Sequence, residues 1–383
     1  MREGHGSDGE KVIIVGAGVA GLSLAIMLAQ RQIKSHVVES RRSFDGPTSG
    51  VRISAEGVAI LTSMNVDSIG ESSDKVDMRF GRISVRFRTP HQDASAIIVT
   101  RLALHEKLME RAQSSGARVT TGFDVASVVE SPDGVEVTSE SGEKVTGTMV
   151  VGADGVGSMV RQLLNPGRGS TKTYAGYLGV GFITEDDAKI DMTLHRYPGH
   201  QVGIASCGKV KRASQKNSIF MWTHIHMSEK DAKMVTRQSV EAELAKRSTQ
   251  WSPVLKTKYE LYVDGAESTL VYGPVYNGKP PLRWYSDKMI LSGDAAHPYG
   301  PGGQGISMAL KDAKALCNVI ARGFTEDDKR EFQRSRSQEA RKLGEAAEKR
   351  NAKEPSSSTL AIYAEGVVMK TVEIFRRGTL RDG

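Results

Sequence analysis

A short apolar strand, Lys11 to Val15, runs directly into a glycine-rich loop, Gly16-Ala17-Gly18-Val19-Ala20-Gly21. In loops of this kind the first glycine allows a tight turn, the second lets the backbone approach a pyrophosphate, and the third lets the next helix pack on the strand. The N–H groups and dipole of that helix attract phosphate charge, typically by about 0.3–1 kcal/mol. The loop therefore predicts a dinucleotide-binding site.

The residues after the loop complete a βαβ unit. Helical periodicity extends from Gly18 to Arg31, and the second strand ends at Glu39. A carboxylate at that point accepts hydrogen bonds from a ribose diol. This unit alone does not distinguish FAD from NAD(P), since Arg41 and Arg42 could read a 2′-phosphate whereas Glu39 would repel one.

Two further segments place an acid just after an apolar strand. The strand Met149 to Gly152 leads into Asp154-Gly155, and the strand Lys288 to Leu291 leads into Gly293-Asp294. An acid at a strand end is suited to accept hydrogen bonds from sugar hydroxyls, although helix N-capping is the alternative use of each. A glycine-rich loop and a predicted helix from Gly302 to Ile320 follow the second acid, and the N–H groups at a helix start favour negative charge on a cofactor ring.

In this order the three motifs resemble those of the single-component FAD-dependent aromatic hydroxylases, the family of para-hydroxybenzoate hydroxylase and the tetracycline-inactivating monooxygenases. The resemblance covers roughly residues 11–341, and Trp284 also fits its pattern. It implies that Asp294 binds a ribityl hydroxyl of FAD and that Arg101 contacts the ribityl–phosphate region. It also implies that Asp154 and Gly155 lie near the pyrophosphate and the path of the nicotinamide cofactor.

The predicted cofactor-binding set combines these motifs with their neighbours. Its members are Gly16, Gly18, Val19, Ala20, Gly21, Glu39, Ser40, Arg41, Arg52, Arg101, Asp154, Gly155, Gly293, Asp294, Gly303, Gln304, Gly305 and Ile306.

The resemblance also implies a reaction. NADPH or NADH reduces the flavin, O₂ adds to give a C4a-hydroperoxyflavin, and one oxygen atom is transferred to the substrate. We therefore expect an FAD-dependent monooxygenase that hydroxylates an aromatic or polycyclic small molecule, often a secondary metabolite or xenobiotic. The alternatives are a Baeyer–Villiger or epoxidising flavin monooxygenase and a non-catalytic flavin-binding protein.

Residues on the substrate side are harder to identify. Alternation along the segment Ile219 to His226 places four side chains on one face: Phe220, Trp222, His224 and His226. Such a face suits a planar phenol, although an ordinary core or interface face is the favoured interpretation. Trp222, His224 and Tyr299 are the substrate-side candidates, and His297 is interpreted as structural. The sequence identifies no catalytic base and no metal site.

Composition places the chain among α/β enzymes. Apolar residues make up 39% and charged residues 25% of its 383 residues, and the charges behind its net +7 are mixed along the length, which argues against nucleic acid as a partner. Cys207 and Cys317 suggest neither a disulfide framework nor a metal site. Without a signal-like start or an apolar run of spanning length, a cytoplasmic protein is expected.

The expected architecture is an FAD-binding Rossmann-like domain, a second β-sheet domain for the substrate, and C-terminal helices. The expected segments are 1–171, with substrate-domain strands near 78–100, then 172–275, 276–353 and 354–383. A helical insert is expected near Ser239 to Lys246. The amphipathic helix Leu360 to Phe375 is expected to pack on the β domain, with membrane-surface attachment as the weaker alternative. A monomer or homodimer without stable membrane attachment is expected.

Overall fold

Three β-sheets and the helices around them form the structure, a computed structural model that describes residues 10–46, 48–67, 69–73, 75–88, 95–167, 172–209, 216–265, 268–299, 303–351 and 356–379. The strands are β1 (Glu10–Val15), β2 (Ser35–Glu39), β3 (Gly50–Ile53), β4 (Glu71–Ser72), β5 (Lys75–Phe80), β6 (Ile83–Arg88), β7 (Ile97–Thr100), β8 (Arg118–Thr121), β9 (Val125–Ser131), β10 (Gly134–Ser139), β11 (Lys144–Gly152), β12 (Lys172–Glu185), β13 (Met192–Tyr197), β14 (His200–Ser206), β15 (Ser218–His226), β16 (Thr269–Gly278) and β17 (Met289–Leu291). The helices are α1 (Val19–Gln30), α2 (Ala55–Ser63), α3 (Arg101–Ser114), α4 (Met159–Leu164), α5 (Glu229–Met234), α6 (Arg237–Ser248), α7 (Pro253–Asp264), α8 (Gly305–Ala321), α9 (Glu326–Asn351) and α10 (Thr359–Thr379).

The first sheet carries the glycine loop and has the strand order β8-β2-β1-β11-β10-β9, with β17 paired to β11. Its central strands β2, β1, β11 and β17 are parallel, and residues 12–14 of β1 are fully buried, as expected for a sheet covered on both faces. The register sets Val15 beside Gly152, and Gly152 beside Leu291. The loops that follow β1, β11 and β17 therefore emerge side by side at one edge of the sheet.

The second sheet has the order β16-β12-β15-β14-β13-β5-β6 and is antiparallel except where β13 meets β5. One of its faces is an apolar core shared with helices α5, α6 and α7, built from residues such as Leu178, Phe182, Met221, Leu244 and Leu255. The opposite face carries the alternate side chains of β15. Because paired residues of antiparallel strands point to the same side, the predicted alternation along β15 is confirmed by its pairing with β12 and β14.

A small third sheet, β3-β7-β4, lies between the two large ones. Thr269 of β16 donates from Oγ1 to the carbonyl oxygen of Thr48 over 3.5 Å, and a Cβ on Gly50 would lie 2.4 Å from the Phe220 ring. Residues 48–50 therefore run against the second sheet on the face that carries Phe220.

The predicted fold class, a mixed α/β FAD-binding fold with C-terminal helices, is confirmed. The expectation of one helical insert near Ser239 to Lys246 was too small, because α5 and α7 flank the observed α6. Helix α5 has only six residues, too few to show helical periodicity, and α7 begins at Pro253, a residue suited to a first helical turn but also common in loops. In the described residues, no helix has the length and apolar character needed to cross a bilayer.

The packing of α1 on β1 requires a glycine at position 21. A Cβ there would lie 2.0 Å from the carbonyl oxygen of Gly16, whereas a Cβ on Gly18 would meet no atom within 4 Å. We expect Gly21→Ala to lower the free energy of unfolding by about 1–3 kcal/mol, as overpacking does. Gly18→Ala, the matched control, should cost less than about 1 kcal/mol, since it changes only a helix N-cap. Urea denaturation without added ligand measures both, and equal costs would contradict this account of the loop.

Candidate active site

The glycine loop is shaped to admit an anion against its backbone. Gly16 has φ +107°, and a Cβ there would lie 2.4 Å from the carbonyl oxygen of Ala153, so only glycine fits. The space beside Gly18 is open, and α1 begins directly after it at Val19 and Ala20, without a side-chain cap or an acid in the first turn. Backbone N–H groups at this helix start are therefore available to a pyrophosphate.

Glu39, at the end of β2, is held beside this loop by backbone hydrogen bonds. The N–H of Ala17 donates to Oε2 over 2.8 Å, and the N–H of Arg41 donates to Oε1 over 2.9 Å. The Ser40 hydroxyl lies 3.3 Å from Oε1. Because each carboxylate oxygen accepts at about two positions, Glu39 keeps acceptor capacity for a ribose diol.

His105 of α3 is a loop contact that the sequence did not reveal. Its Nε2 donates to the carbonyl oxygen of Ala17 over 2.9 Å, and its ring lies on Phe44 with centroids 3.8 Å apart. Burial lowers the pKa of His105, which favours the neutral imidazole with its proton on Nε2. A single histidine in an amphipathic helix carries no sequence signal for this role.

The Gly293-Asp294 turn lies close to the same loop. Gly293 has φ +63°, and a Cβ on it would lie 2.9 Å from the Cβ of Ala20. No group among the described residues donates a hydrogen bond to the Asp294 carboxylate, although that side chain is largely buried. Burial raises the pKa of Asp294, and the charges of His297 and Arg101 oppose that shift. Asp294 is therefore a positioned acceptor with capacity for a ligand hydroxyl, which fits the ribityl chain of FAD.

A buried carboxylate on α8, that of Asp312, holds the Gly293-Asp294 turn in place through hydrogen bonds. Asp312, which is fully buried, accepts at Oδ2 from the N–H of Gly293 over 2.9 Å and from Nε2 of His297 over 2.6 Å. Its Oδ1 accepts from Nε of Arg336 on α9 over 2.6 Å. Burial opposes ionisation of both partners, yet their mutual attraction prevails: it lowers the pKa of Asp312 and raises the pKa of His297. The structural role expected for His297 is the one observed, and Asp312 and Arg336 were missed.

Arg161 of α4 connects the two acidic turns. Its buried guanidinium donates to the carbonyl oxygens of Ala295, over 3.0 Å, and Asp294, over 3.3 Å, and also to that of Val156. Burial lowers the pKa of Arg161, and the charges of Asp154 and Asp294 oppose that change. The turn after β11 and the turn after β17 are thus held together by one cation.

Asp154 acts here as a helix cap. Its Oδ1 accepts from the Ser158 hydroxyl over 2.5 Å, and Oδ2 accepts from the N–H groups of Met159 and Val160 over 2.7 and 3.2 Å. The sequence left N-capping open as the alternative to a cofactor contact, and the Asp154 side chain makes capping hydrogen bonds. Next to it, the space around Gly155 is open and leaves backbone accessible to a ligand.

The remaining cofactor-binding candidates surround the same edge. Arg101 is the exposed first residue of α3, near enough for its charge to act on Asp294, and Arg52 lies on β3 opposite Ile98. Helix α8 begins without a side-chain cap at Gln304, and open space surrounds Gly303 and Gly305, with Ile306 next in the first turn. Residues 300–302 lie outside the described residues.

The face of the second sheet opposite α5, α6 and α7 carries a half-buried aromatic platform over small residues. Phe220 and Trp222 stack with centroids 5.2 Å apart and planes inclined by 17°. Both rings occupy space left by glycine, since a Cβ on Gly181 would lie 2.8 Å from Phe220 and one on Gly203 would lie 2.1 Å from Trp222. His224 continues the platform by stacking on Tyr177, with centroids 4.2 Å apart.

Tyr299 is placed differently from the other two substrate-side candidates. A Cβ on Gly344 of α9 would lie 2.4 Å from the Tyr299 ring, so this ring packs on the helix. A packing role, the alternative to substrate contact, is the one that the structure displays.

Residues 48–50 join the cofactor loops to the aromatic platform. Arg101 donates its N–H to the carbonyl oxygen of Ser49 over 2.9 Å, and Leu102 donates its N–H to Oγ1 of Thr48 over 3.1 Å. The next residue, Gly50, lies against Phe220. A ligand bound near Asp294 and Arg101 would thus be one short segment away from the platform.

The Asp312 network predicts a large effect for an isosteric change. Asp312→Asn removes the fully buried charge that His297 and Arg336 share and leaves Arg336 paired with the more exposed Glu339, which should cost about 3–5 kcal/mol of unfolding free energy and loosen the Gly293 turn. Asp327→Asn on α9 is the matched control, since its side chain is 94% exposed and its surface pair with Arg330 should contribute at most about 1 kcal/mol. Urea denaturation measures both, and similar losses would contradict the role given to Asp312.

Comparison with known proteins places this site in a family. A family model described as "FAD binding domain" matches residues 10–351. Among curated proteins, the dialkyldecalin synthase of Streptomyces rugosporus is 27% identical over 80% of this chain, which spans 64% of that protein's length. The 3-hydroxybenzoate 6-hydroxylase 1 of Aquipseudomonas alcaligenes is 25% identical, with 81% of this chain and 80% of that protein covered.

Solved structures share the fold. HpxO of Klebsiella pneumoniae, complexed with FAD and uric acid, superposes with a TM-score of 0.79 at 21% identity over 94% of this chain and 92% of its own. Tetracycline destructase Tet(51) superposes with a TM-score of 0.68 at 15% identity over 95% and 96%. The chain therefore belongs to the FAD-binding family of the single-component aromatic hydroxylases, and FAD is its cofactor.

Proposed function

We propose that the protein is an FAD-dependent monooxygenase that uses NADH or NADPH and O₂ to hydroxylate an aromatic or polycyclic small molecule. The observation that carries the proposal is the joining of two half-sites by residues 48–50. One half-site is the Asp294 carboxylate beside the glycine loop, which accepts no hydrogen bond from the residues that the structure describes, and the other is the platform of Phe220 and Trp222.

The cofactor half-site assigns each group of FAD to a different loop. Backbone N–H groups from Gly18 to Gly21 would bind the pyrophosphate, and Glu39 would bind the ribose diol. Asp294 would accept from a ribityl hydroxyl, and the start of α8 at Gly305 would face the flavin ring. Bound FAD supplies hydride acceptance from the nicotinamide and activation of O₂ for transfer to the substrate.

The platform half-site would orient the substrate. A flat ring would lie against Trp222 and Phe220, whose half-buried side chains occupy the space that Gly203 and Gly181 leave open. His224, fixed by stacking on Tyr177, offers a polar group at the rim of the platform. The platform would shield one face of the substrate from water, and this chemistry requires that water be kept from the reacting groups. Planar aromatic substrates are also those that the names of the 3-hydroxybenzoate hydroxylase and the HpxO–uric acid complex specify.

Several finer assignments accompany this proposal. We propose a division at residues 171/172, 275/276 and 353/354, a cytoplasmic location, and a monomer or homodimer. A Baeyer–Villiger or epoxidising reaction and a non-catalytic flavin-binding role are the competing functions.

One assay separates these functions. The purified holoprotein is given NADH or NADPH and a panel of hydroxybenzoates, purines and fused-ring phenols, and NAD(P)H consumption is followed with ¹⁸O₂ present. We expect at least one aromatic compound to stimulate consumption and to gain one labelled oxygen on a ring carbon. A lactone or epoxide product would favour the competing oxygenations, and an absence of stimulation across the panel would overturn the proposal.

Asp294→Ala tests the cofactor half-site. Loss of a charged hydrogen-bond acceptor at a buried ligand contact should weaken FAD binding by roughly tenfold to a hundredfold, so the purified variant should be largely colourless. Asp327→Ala on α9 is the control, because its side chain is 94% exposed. FAD occupancy is read from the flavin absorbance of the gel-filtered proteins. A variant that stays as yellow as the control would show that Asp294 does not hold the cofactor.

A further inference from the structure

Helix α10 packs on the protein through one narrow stripe. Ile362, Gly366 and Glu373 are buried, and Gly366 sits so close to the β5–β6 hairpin that a Cβ there would lie 2.6 Å from Phe80. Their spacing of four and seven residues keeps them on one face of a helix. Helix α10 was expected to pack on the second sheet, and it does so only through this stripe.

The outward half of α10 is apolar along its length. Its exposed positions between 359 and 374 are mostly apolar, with Thr359, Glu365 and Thr371 as the polar exceptions: Thr359, Leu360, Ala361, Tyr363, Ala364, Glu365, Val367, Val368, Thr371, Val372 and Ile374. The exposed fraction reaches 78% for Leu360, 62% for Val368 and 61% for Ile374. A helix that packs on a protein normally turns charged residues outward, so this pattern is inverted, and a continuous apolar patch of this kind marks an interaction surface.

Within positions 360–374, the charged residues of α10 lie at its flanks and are paired with neighbours. Glu365 bonds to Arg196 of β13 over 3.2 Å, and Lys370 bonds to Glu373 over 2.7 Å. Covering the outward face would bring Glu365 and Lys370, each 44% exposed, to the edge of the interface, where their ion pairs offset part of the cost of losing water.

Positive charge is concentrated around this helix. Together, the β5–β6 hairpin (residues 75–88) and α10 (residues 359–379) hold eight lysines and arginines against three acids, a net +5 of the chain's +7. One of the acids, Asp77, is already paired with Arg86 over 2.7 Å. Arg82 is exposed in the hairpin turn, between the two residues, Phe80 and Ile83, that lie against Gly366.

We propose that this surface, α10 with the β5–β6 hairpin, docks reversibly on an anionic lipid bilayer, with the helix lying in the plane of the interface. The apolar half enters the boundary between headgroups and acyl chains, while the flanking cations meet lipid phosphates, the arrangement of an interfacial helix. A second copy of the chain fits less well, because it would bring two surfaces of the same positive sign together. Docking that depends on flanking cations weakens at high salt, and it is reversible, unlike a stable membrane anchor.

Vesicle co-sedimentation of the full-length holoprotein tests the proposal without requiring turnover. The vesicles are phosphatidylcholine with roughly one-third phosphatidylglycerol, compared with phosphatidylcholine alone, at low and high salt. We expect binding to the anionic vesicles at low salt and its loss at high salt. Failure of the wild-type protein to bind anionic vesicles at low salt would overturn the proposal.

Variants separate the apolar and the electrostatic contributions. The triple change Leu360→Gln, Val368→Gln and Ile374→Gln should weaken vesicle binding at least tenfold, and Arg82→Glu should weaken it about fivefold or more. The matched control is Val254→Gln, Val263→Gln and Leu282→Gln, three residues exposed by 55%, 60% and 68% away from α10, which should bind like the wild type.

Two results would contradict lipid docking through α10. If the α10 triple variant binds vesicles as the wild type does, the helix is not the docking element. If sedimentation velocity shows that the wild type is a dimer and the triple variant a monomer, the face is an interface between copies of this chain. Either result overturns lipid docking and leaves the oxygenase proposal unaffected.

Discussion

The buried carboxylate of Asp312 determines where the Gly293-Asp294 turn can lie. An ion without solvent exposure is tolerated only when charges and hydrogen bonds surround it, and Asp312 has a guanidinium, an imidazole and a backbone N–H around its two oxygens. That N–H belongs to Gly293, whose left-handed conformation turns the chain so that no group in the described part of the chain donates a hydrogen bond to the Asp294 carboxylate. The hydrogen bonds of one carboxylate thus position a second one that keeps acceptor capacity for a ligand.

Strand register supplies the other half of this arrangement. Because β1, β11 and β17 are parallel and adjacent, with Val15, Gly152 and Leu291 in line, three segments far apart in sequence deliver their loops to one edge. Register alone does not fix loop conformation. Arg161 does so for two of the loops by donating to carbonyl oxygens on both, and the caps made by Asp154 hold the helix that carries Arg161. An apparent cofactor residue therefore acts through the backbone it organises.

How far the site was predictable from sequence depends on the range of each interaction. The glycine loop, Glu39 and the Gly293-Asp294 turn were predictable because each is a local pattern attached to a strand. The partners of Asp312 are not, since Arg336 lies 24 residues away and His297 lies 15 residues away, and only the fold sets α8, α9 and the turn together. His105 and Arg161 escaped for the same reason. The direction of Tyr299 was open in the sequence because its packing depends on Gly344 of α9.

The second sheet shows how one element can serve stability and binding at once. Its face toward α5, α6 and α7 carries large aliphatic side chains and closes into a core. Its other face has glycine at positions 179, 181 and 203, where a core would place side chains, and this omission gives up apolar burial worth about 1.5–3 kcal/mol per residue. Phe220 packs over Gly181 and Trp222 over Gly203, so aromatic rings take the space that aliphatic side chains would otherwise fill. Because both rings stay half-buried, this face keeps apolar surface against which a planar molecule can make further contacts.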